Sequence, residues 1–189
     1  MVEAAVARQV DEDPIESLIR ARAHRDAAAL CAREHGAAIG RLCMALLGVQ
    51  AEAEEATQDA LLAAHDGMRS YRGDGTVRAW LFGIARRVCA KKLETRSRRD
   101  RRLRVVHDAD APAGLPDELV ALRRRAQRVR AALDLLRPSE REALLLRHEA
   151  GLSFREIGIA CGLDEATARK RASRALARLG EILGEGVER

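Results

Sequence analysis

The chain has 189 residues, enough for one medium domain or two small ones with an ordinary buried core. Hydrophobic residues make up 47% and charged residues 33%, which excludes a disordered chain, and no run reaches the ~18 apolar residues of a membrane span. The net charge is +5, and only Tyr71, Trp80, Phe82 and Phe154 are aromatic, too few for a typical β-sandwich or barrel.

Residues 1–16 are acidic and weakly patterned, and read as a frayed lead-in. From Ile15 the apolar positions Leu18, Ile19, Leu30, Ile39, Leu42, Leu46 and Leu47 recur at helical intervals until Gly48. A second helix is expected from Ala51 to Asp66, with Ala53, Ala56, Ala60, Leu61 and Ala64 inward and Glu52, Glu54, Glu55 and Asp59 outward. Gly67 and Arg72-Gly73-Asp74-Gly75 break the chain, and Thr76 is placed to cap a third helix. That helix carries Val77, Trp80, Leu81, Ile84, Ala85 and Val88 on one apolar stripe, with Arg78, Arg86, Arg87, Lys91 and Lys92 largely outside it. Residues 99–116, with the run Asp108-Ala109-Asp110-Ala111-Pro112-Ala113-Gly114, have the composition of a flexible linker. A helix from Asp117 to Leu136 follows, then three more elements ending near Leu183. The expected class is therefore all-α, in two helical domains over 17–98 and 117–184.

The last three elements form a recognisable unit. Pro138 opens a helix with Ala143, Leu144, Leu145 and Leu146 on its apolar face, and Gly151 ends it. Ser153-Phe154-Arg155-Glu156 fits a capping box, in which the serine hydroxyl accepts from the glutamate N–H and the carboxylate reaches back. Gly162 supplies a left-handed turn, Leu163 packs it, and Asp164 caps a helix from Glu165 with Ala168, Ala172, Ala175, Leu179 and Ile182 inward. Arg169, Lys170, Arg171, Ser173, Arg174 and Arg178 lie mainly on the other side. This is a helix-turn-helix whose second helix has the basic face that a major groove accepts.

Charge is distributed in blocks: residues 1–68 carry a net −6, 69–104 a net +10, 105–122 a net −4 and 123–178 a net +7. Two basic blocks separated by an acidic spacer suit two nucleic-acid surfaces, and the acidic N-terminal part suits a protein partner. Cys31, Cys43, Cys89 and Cys161 are widely spaced with no C-x-x-C pair, and are expected to be reduced and packed, with no metal and no cofactor. The histidines are scattered, with no nucleophile–base pairing or phosphate loop, so no enzymatic activity is expected. The N-terminus has no signal-peptide layout, which places the chain in the cytoplasm without membrane insertion.

Three stretches resemble the extracytoplasmic-function (ECF) sigma factors of bacterial RNA polymerase, in the sigma-70 superfamily. Ala53-Glu54-Glu55-Ala56-Thr57-Gln58-Asp59-Ala60-Leu61 is similar to the region 2 signature A-E-D-x-x-Q-[DE]-x-[FL]. Tyr71-Arg72-Gly73-Asp74 through Trp80-Leu81-Phe82-Gly83-Ile84-Ala85-Arg86 resembles the run [FY]-x-G…W-L-x-x-I-A-R. Leu136-Arg137-Pro138-Ser139-Glu140-Arg141-Glu142 and Ser153 to Leu179 resemble region 4, and the three blocks stand in the family's order.

The resemblance implies a promoter-specificity subunit that binds core RNA polymerase through the β′ clamp coiled coil and the β flap, recognises promoter DNA and is held by an anti-sigma factor. Carried over residue by residue, Glu52, Glu55, Gln58 and Asp59 would meet polymerase. Tyr71, Arg78, Trp80, Arg86, Arg87 and Lys91 would meet the melted minus-ten element, although Trp80 also lies on the apolar stripe and belongs there first to the core. Holding an unstacked base needs a stacking surface, worth ~1–3 kcal/mol per base, and the Tyr71–Gly75 loop beside Trp80 is where this chain offers one. Arg155, Thr167, Arg169, Lys170, Arg171, Ser173 and Arg174 would meet the minus-thirty-five element. The sequence departs from the family run I-A-R-N-x-x-x-D-x-x-R at Arg87, Lys91 and Glu94, which leaves the minus-ten sequence open. Two other readings are a helix-turn-helix regulator that does not bind polymerase and a sigma-like decoy without initiation activity.

Overall fold

The computed structural model describes residues 13–102 and 117–185. The lead-in up to residue 12 and the linker from 103 to 116 lie outside the described residues. Among those described there is no strand, and the helices run α1 (Pro14–Arg20), α2 (His24–Leu47), α3 (Gln50–Gly67), α4 (Val77–Arg102), α5 (Asp117–Asp134), α6 (Pro138–His148), α7 (Phe154–Cys161) and α8 (Glu165–Glu185). Helix α4 therefore continues to Arg102, through the first residues expected to be linker, and Pro14 to Glu16 are helical rather than frayed.

The single N-terminal periodicity resolves into two helices. Asp13 caps α1 by accepting from the Ile15 N–H at 2.9 Å, and Pro14 takes the first-turn position where no N–H is needed. The break after Arg20 is closed by Arg22 at φ 58°, a left-handed conformation in a residue with a Cβ, and by the Ala23 N–H bonding to the Leu18 carbonyl. Ile15 and Ile19 of α1 are buried against α2. Gly48 ends α2 at φ 80°, as expected.

Helix α3 buries Ala53, Ala56, Ala60 and Ala64, so small side chains let it lie close to α2 and α4. A short 3₁₀ turn, Met68–Ser70, leads into the loop before α4, where the Thr76 hydroxyl accepts from the Ala79 N–H at 3.1 Å. The predicted stripe Val77, Leu81, Ile84 and Ala85 is buried, while Trp80 and Val88 are half-buried. Ala79, Phe82 and Gly83, off that stripe, are also covered. The reason is tertiary: α7 packs on α4, and one hydrophobic core runs from α1 through α4 into α6, α7 and α8.

The C-terminal helices form as the local signals require. Ser153 Oγ accepts from the Glu156 N–H at 3.2 Å while Glu156 Oε2 accepts from the Ser153 N–H at 2.8 Å, completing the capping box. Gly162 has φ 69°, and the Leu163 N–H bonds back to the Gly158 carbonyl at 2.8 Å. A Cβ on Gly158 would lie 2.6 Å from the Leu163 carbonyl oxygen, so the tightness of this turn requires glycine there as well. Ala168, Ala172 and Ala175 of α8 are buried, and Leu136, Leu144 and Ala175 form a smaller core with α5 and α6.

Candidate functional site

Three surfaces collect the residues singled out from the sequence. The first is the acidic row of α3. Glu55 and Asp59 both meet Lys92 Nζ of α4, at 3.0 and 3.1 Å, and Glu52 meets Arg96 at 3.1 Å. Desolvation works against the Lys92 charge, yet the Glu55 and Asp59 carboxylates hold its pKa above the usual lysine value. Gln58 is exposed between these pairs. The sequence reading named the carboxylates and not their cations, although Lys92 and Arg96, four apart on α4, match the spacing of Glu52, Glu55 and Asp59 on α3.

The second surface is the loop before α4. The Tyr71 hydroxyl donates to the Gly75 carbonyl at 2.8 Å and closes the loop on itself. Burial, then the Glu16 and Asp13 carboxylates, push the Tyr71 phenol up to about 12, so it remains a donor. Its ring sits 5.1 Å from that of Trp80 at an interplanar angle of 59°, and Trp80 is half-buried against Gly67. A cavity of about 210 Å³ opens beside them, lined by the 70–76 loop, Trp80 and Arg87, and also by Ile159 and Ala160 of α7.

The basic residues of α4 divide into two groups. Arg87 and Lys91 are exposed. Arg86 meets Glu142 of α6 at 3.1 Å, and Arg78 donates to the Ala150 carbonyl after α6. Thr76 donates to Glu156 of α7 at 2.9 Å. Desolvation opposes the Glu156 charge, but the Ser153 N–H, the Ser153 and Thr76 hydroxyls and the nearby Arg78 charge hold its carboxyl below the usual range.

The third surface is the outer face of α8 with the start of α7. Arg155, Lys170, Ser173 and Arg174 are exposed, and Arg171 is half-buried. The Arg169 and Arg147 guanidinium carbons lie 5.1 and 5.0 Å from the Phe154 ring centroid, and Arg169 also pairs with Glu165 at 2.8 Å. Thr167 is engaged by the cap: its N–H and hydroxyl both donate to the Asp164 carboxylate, at 2.7 and 2.6 Å. The exposed groups are thus a guanidinium and ammonium row on a rigid helix, able to donate to phosphates and to guanine edges.

The Sigma-70 region 2 family model matches residues 31–99, and the Sigma-70 region 4 family model matches residues 126–179. Together they cover more than half of the chain, in the order of the acidic row, the loop and α4, and then the helix-turn-helix.

The chain belongs to the ECF sigma factors of the sigma-70 family.

Among its relatives, the ECF RNA polymerase sigma factor SigM of Mycobacterium tuberculosis is 32% identical over 157 residues, covering 80% of this chain and 74% of SigM. The sigma factor RpoE of Bartonella quintana, solved in complex with the anti-sigma factor NepR, has a TM-score of 0.59 and 28% identity, over 78% of this chain and 90% of RpoE. CnrH, solved with the cytosolic domain of CnrY, shares the fold with a TM-score of 0.67 at 23% identity, over 91% and 99% of the two chains. In this sigma factor, region 2 comprises the matched part of α2 with α3 and most of α4, and region 4 runs from within α5 into α8.

Proposed function

We propose that this ECF sigma factor binds core RNA polymerase through the α3 row, reads the minus-thirty-five element with α8 and holds the melted minus-ten strand at the loop before α4. The observation that carries this reading is the pairing, in one chain, of a helix-turn-helix with an exposed Arg155, Lys170 and Arg174 face and a Tyr71–Trp80 aromatic pair beside the exposed Arg87 and Lys91. A duplex needs the first surface and an unpaired strand needs the second. Glu52, Glu55, Gln58 and Asp59 present side-chain acceptors to a basic partner such as the β′ clamp coiled coil, and region 4 would meet the β flap. Lys92 and Arg96 hold that acidic row in place until such a partner competes for it.

Control by an anti-sigma factor is part of the same proposal, supported by the similar RpoE being itself bound by NepR. The site of action is the bacterial cytoplasm. Run-off transcription with purified core polymerase on a genomic promoter library tests the reading, with promoter-dependent transcripts and co-elution of chain and core as the expected result. Absence of both would leave a DNA-binding regulator or a decoy. Charge reversal at Asp59, Asp59→Lys, is expected to reduce co-elution while leaving the affinity for duplex DNA intact.

A further inference from the structure

The stripe that meets α8 carries Leu136, just before α6, then Glu140 and Leu144 at intervals of four, and both leucines pack with Ala175 in the smaller core. An apolar side chain would complete that stripe. The chain has a carboxylate there instead, and among the described residues Glu140 is the single charged side chain that is buried, at 6% exposure. Such a charge is costly unless it is paired. Its cation comes from the outer face of α8, where Arg174 Nε lies 3.6 Å from Glu140 Oε1, an ion-pair distance. Glu140 also sits in the first turn of α6, where the helix dipole favours a carboxylate. The next two residues of α6 face elsewhere. Glu142 meets Arg86 of α4, and Arg141 donates to the Ala45 and Leu46 carbonyls of α2 at 3.0 and 2.8 Å, beside the bond from Arg130 of α5 to the Met44 carbonyl at 3.3 Å.

A guanidinium has five N–H donors, one on Nε and four on the two Nη groups. With Nε turned to Glu140, the Nη fork is left for an acceptor outside the protein, and the O6 and N7 edge of guanine is the base edge that such a fork fits. Arg174 is thus held at its inner edge while most of its side chain stays exposed. The other cations on this face differ. Arg169 is tied to Glu165 within its own helix, and the Lys170 ammonium is a point charge without a fork. An arginine fixed before binding loses less rotamer freedom when it binds, and it is less able to swing towards a phosphate or a different base. We propose that Glu140 is a positioning residue for base readout: from α6 it fixes the Arg174 guanidinium so that the Nη fork meets a guanine in the major groove, and Arg174 thereby sets the specificity at that base pair. The proposal rests on the reading of α8 as the helix that reads duplex DNA.

The experiment incubates the full-length chain with a duplex DNA library carrying a short randomised stretch and sequences the bound fraction, for the wild type, Arg174→Ala, Glu140→Gln, Glu140→Leu and the double variant Glu140→Leu/Arg174→Ala. The wild type is expected to enrich a guanine at one position, and Arg174→Ala to lose ~10-fold of the preference there, within the range of one bidentate contact. Both Glu140 variants are expected to lose ~3–10-fold at that same position and at no other, and Glu140→Leu to change nothing further once Arg174 is alanine. Glu140→Leu completes the apolar stripe, so its thermal unfolding is expected at or above the wild-type temperature. Affinity for a duplex lacking the selected sequence is expected to stay level or to rise in both Glu140 variants, because a negative charge leaves the DNA side; damage to the fold would lower it. Full preference in the Glu140 variants beside a loss in Arg174→Ala would overturn the positioning role. An even loss across all sequences in Arg174→Ala would make it a phosphate contact and overturn the proposal as well. A wild type that enriches no sequence at all would overturn the reading of α8 itself, and the role of Glu140 with it.

Discussion

Arg86 Nη1 of α4 lies 3.1 Å from Glu142 Oε2 of α6, and each side chain keeps only 20% of its surface exposed. Arg86 Nε is buried without a hydrogen-bond partner. The arginine is therefore held in a partly dry seam by one carboxylate, with its Nε–H left without a partner there. A residue chosen from the sequence for its charge is, in this arrangement, a structural contact between the two regions.

Replacing Glu142 by alanine is expected to lower unfolding stability by ~1–3 kcal/mol, the range for leaving a charged donor without its partner. The loss cannot exceed the free energy of docking, since undocking re-solvates Arg86. Combined with Arg141→Ala, the effect is therefore expected to be less than additive in urea unfolding. Full additivity would show that the two contacts belong to different cooperative units.

The turn of the helix-turn-helix tolerates no methyl group at Gly158, which is buried and faces the Leu163 carbonyl at 2.6 Å from an added Cβ. Gly158→Ala is expected to cost ~1–3 kcal/mol, as for overpacking, and to reduce duplex binding by displacing α8. Thermal unfolding and anisotropy on duplex DNA measure the two effects. The exposed Gly162, at φ 69° with nothing within 4 Å of an added Cβ, would show strain of the backbone only.

Acid is expected to weaken the seam and the cap together. The Glu156 carboxyl titrates below its ordinary value in the folded chain, so its contribution is fully present above the unfolded value of about 4.3 and is lost as the pH falls through the depressed one. Asp164, whose carboxyl is lowered by the Thr167 hydroxyl and N–H, loses its contribution in the same direction. Unfolding measured as a function of pH is expected to show stability falling on the acid side. Glu156→Gln is expected to reduce that slope without abolishing it, and an unchanged slope would contradict the role of Glu156.

On α8, Arg174→Ala is expected to weaken promoter-duplex binding by ~1–3 kcal/mol and to relax preference at one base position, as for loss of a base contact. Its side chain is 63% exposed, and its Nε lies 3.6 Å from the Glu140 carboxylate of α6. Lys170→Ala is expected to reduce binding evenly across sequences and to shallow the salt dependence, as for a phosphate contact. Arg169, stacked on Phe154 and paired with Glu165, is expected to alter the stability of the unit more than its sequence preference. Anisotropy against a set of single-base promoter variants separates the three.

The sequence by itself determined the all-α class, the ends of α3, α6 and α7, the capping box at Ser153, the left-handed Gly48 and Gly162, and the basic face of α8. These follow from short-range signals, because caps, glycine turns and helical periodicity are satisfied within a few residues. The break at Arg22 was not legible: the chain turns left-handed there without a glycine, because α1 must fold back onto α2 to bury Ile15 and Ile19. Nor was the coverage of Ala79, Phe82 and Gly83, which depends on α7 arriving from a distant part of the chain. The same holds for the arginines. Periodicity assigns Arg78, Arg86, Arg130 and Arg141 to polar faces, but a polar face has no fixed partner until packing brings a carbonyl or a carboxylate to it. Only the tertiary structure decided that these four close the seam between the regions while Arg87, Lys91, Lys170 and Arg174 stay exposed to solvent.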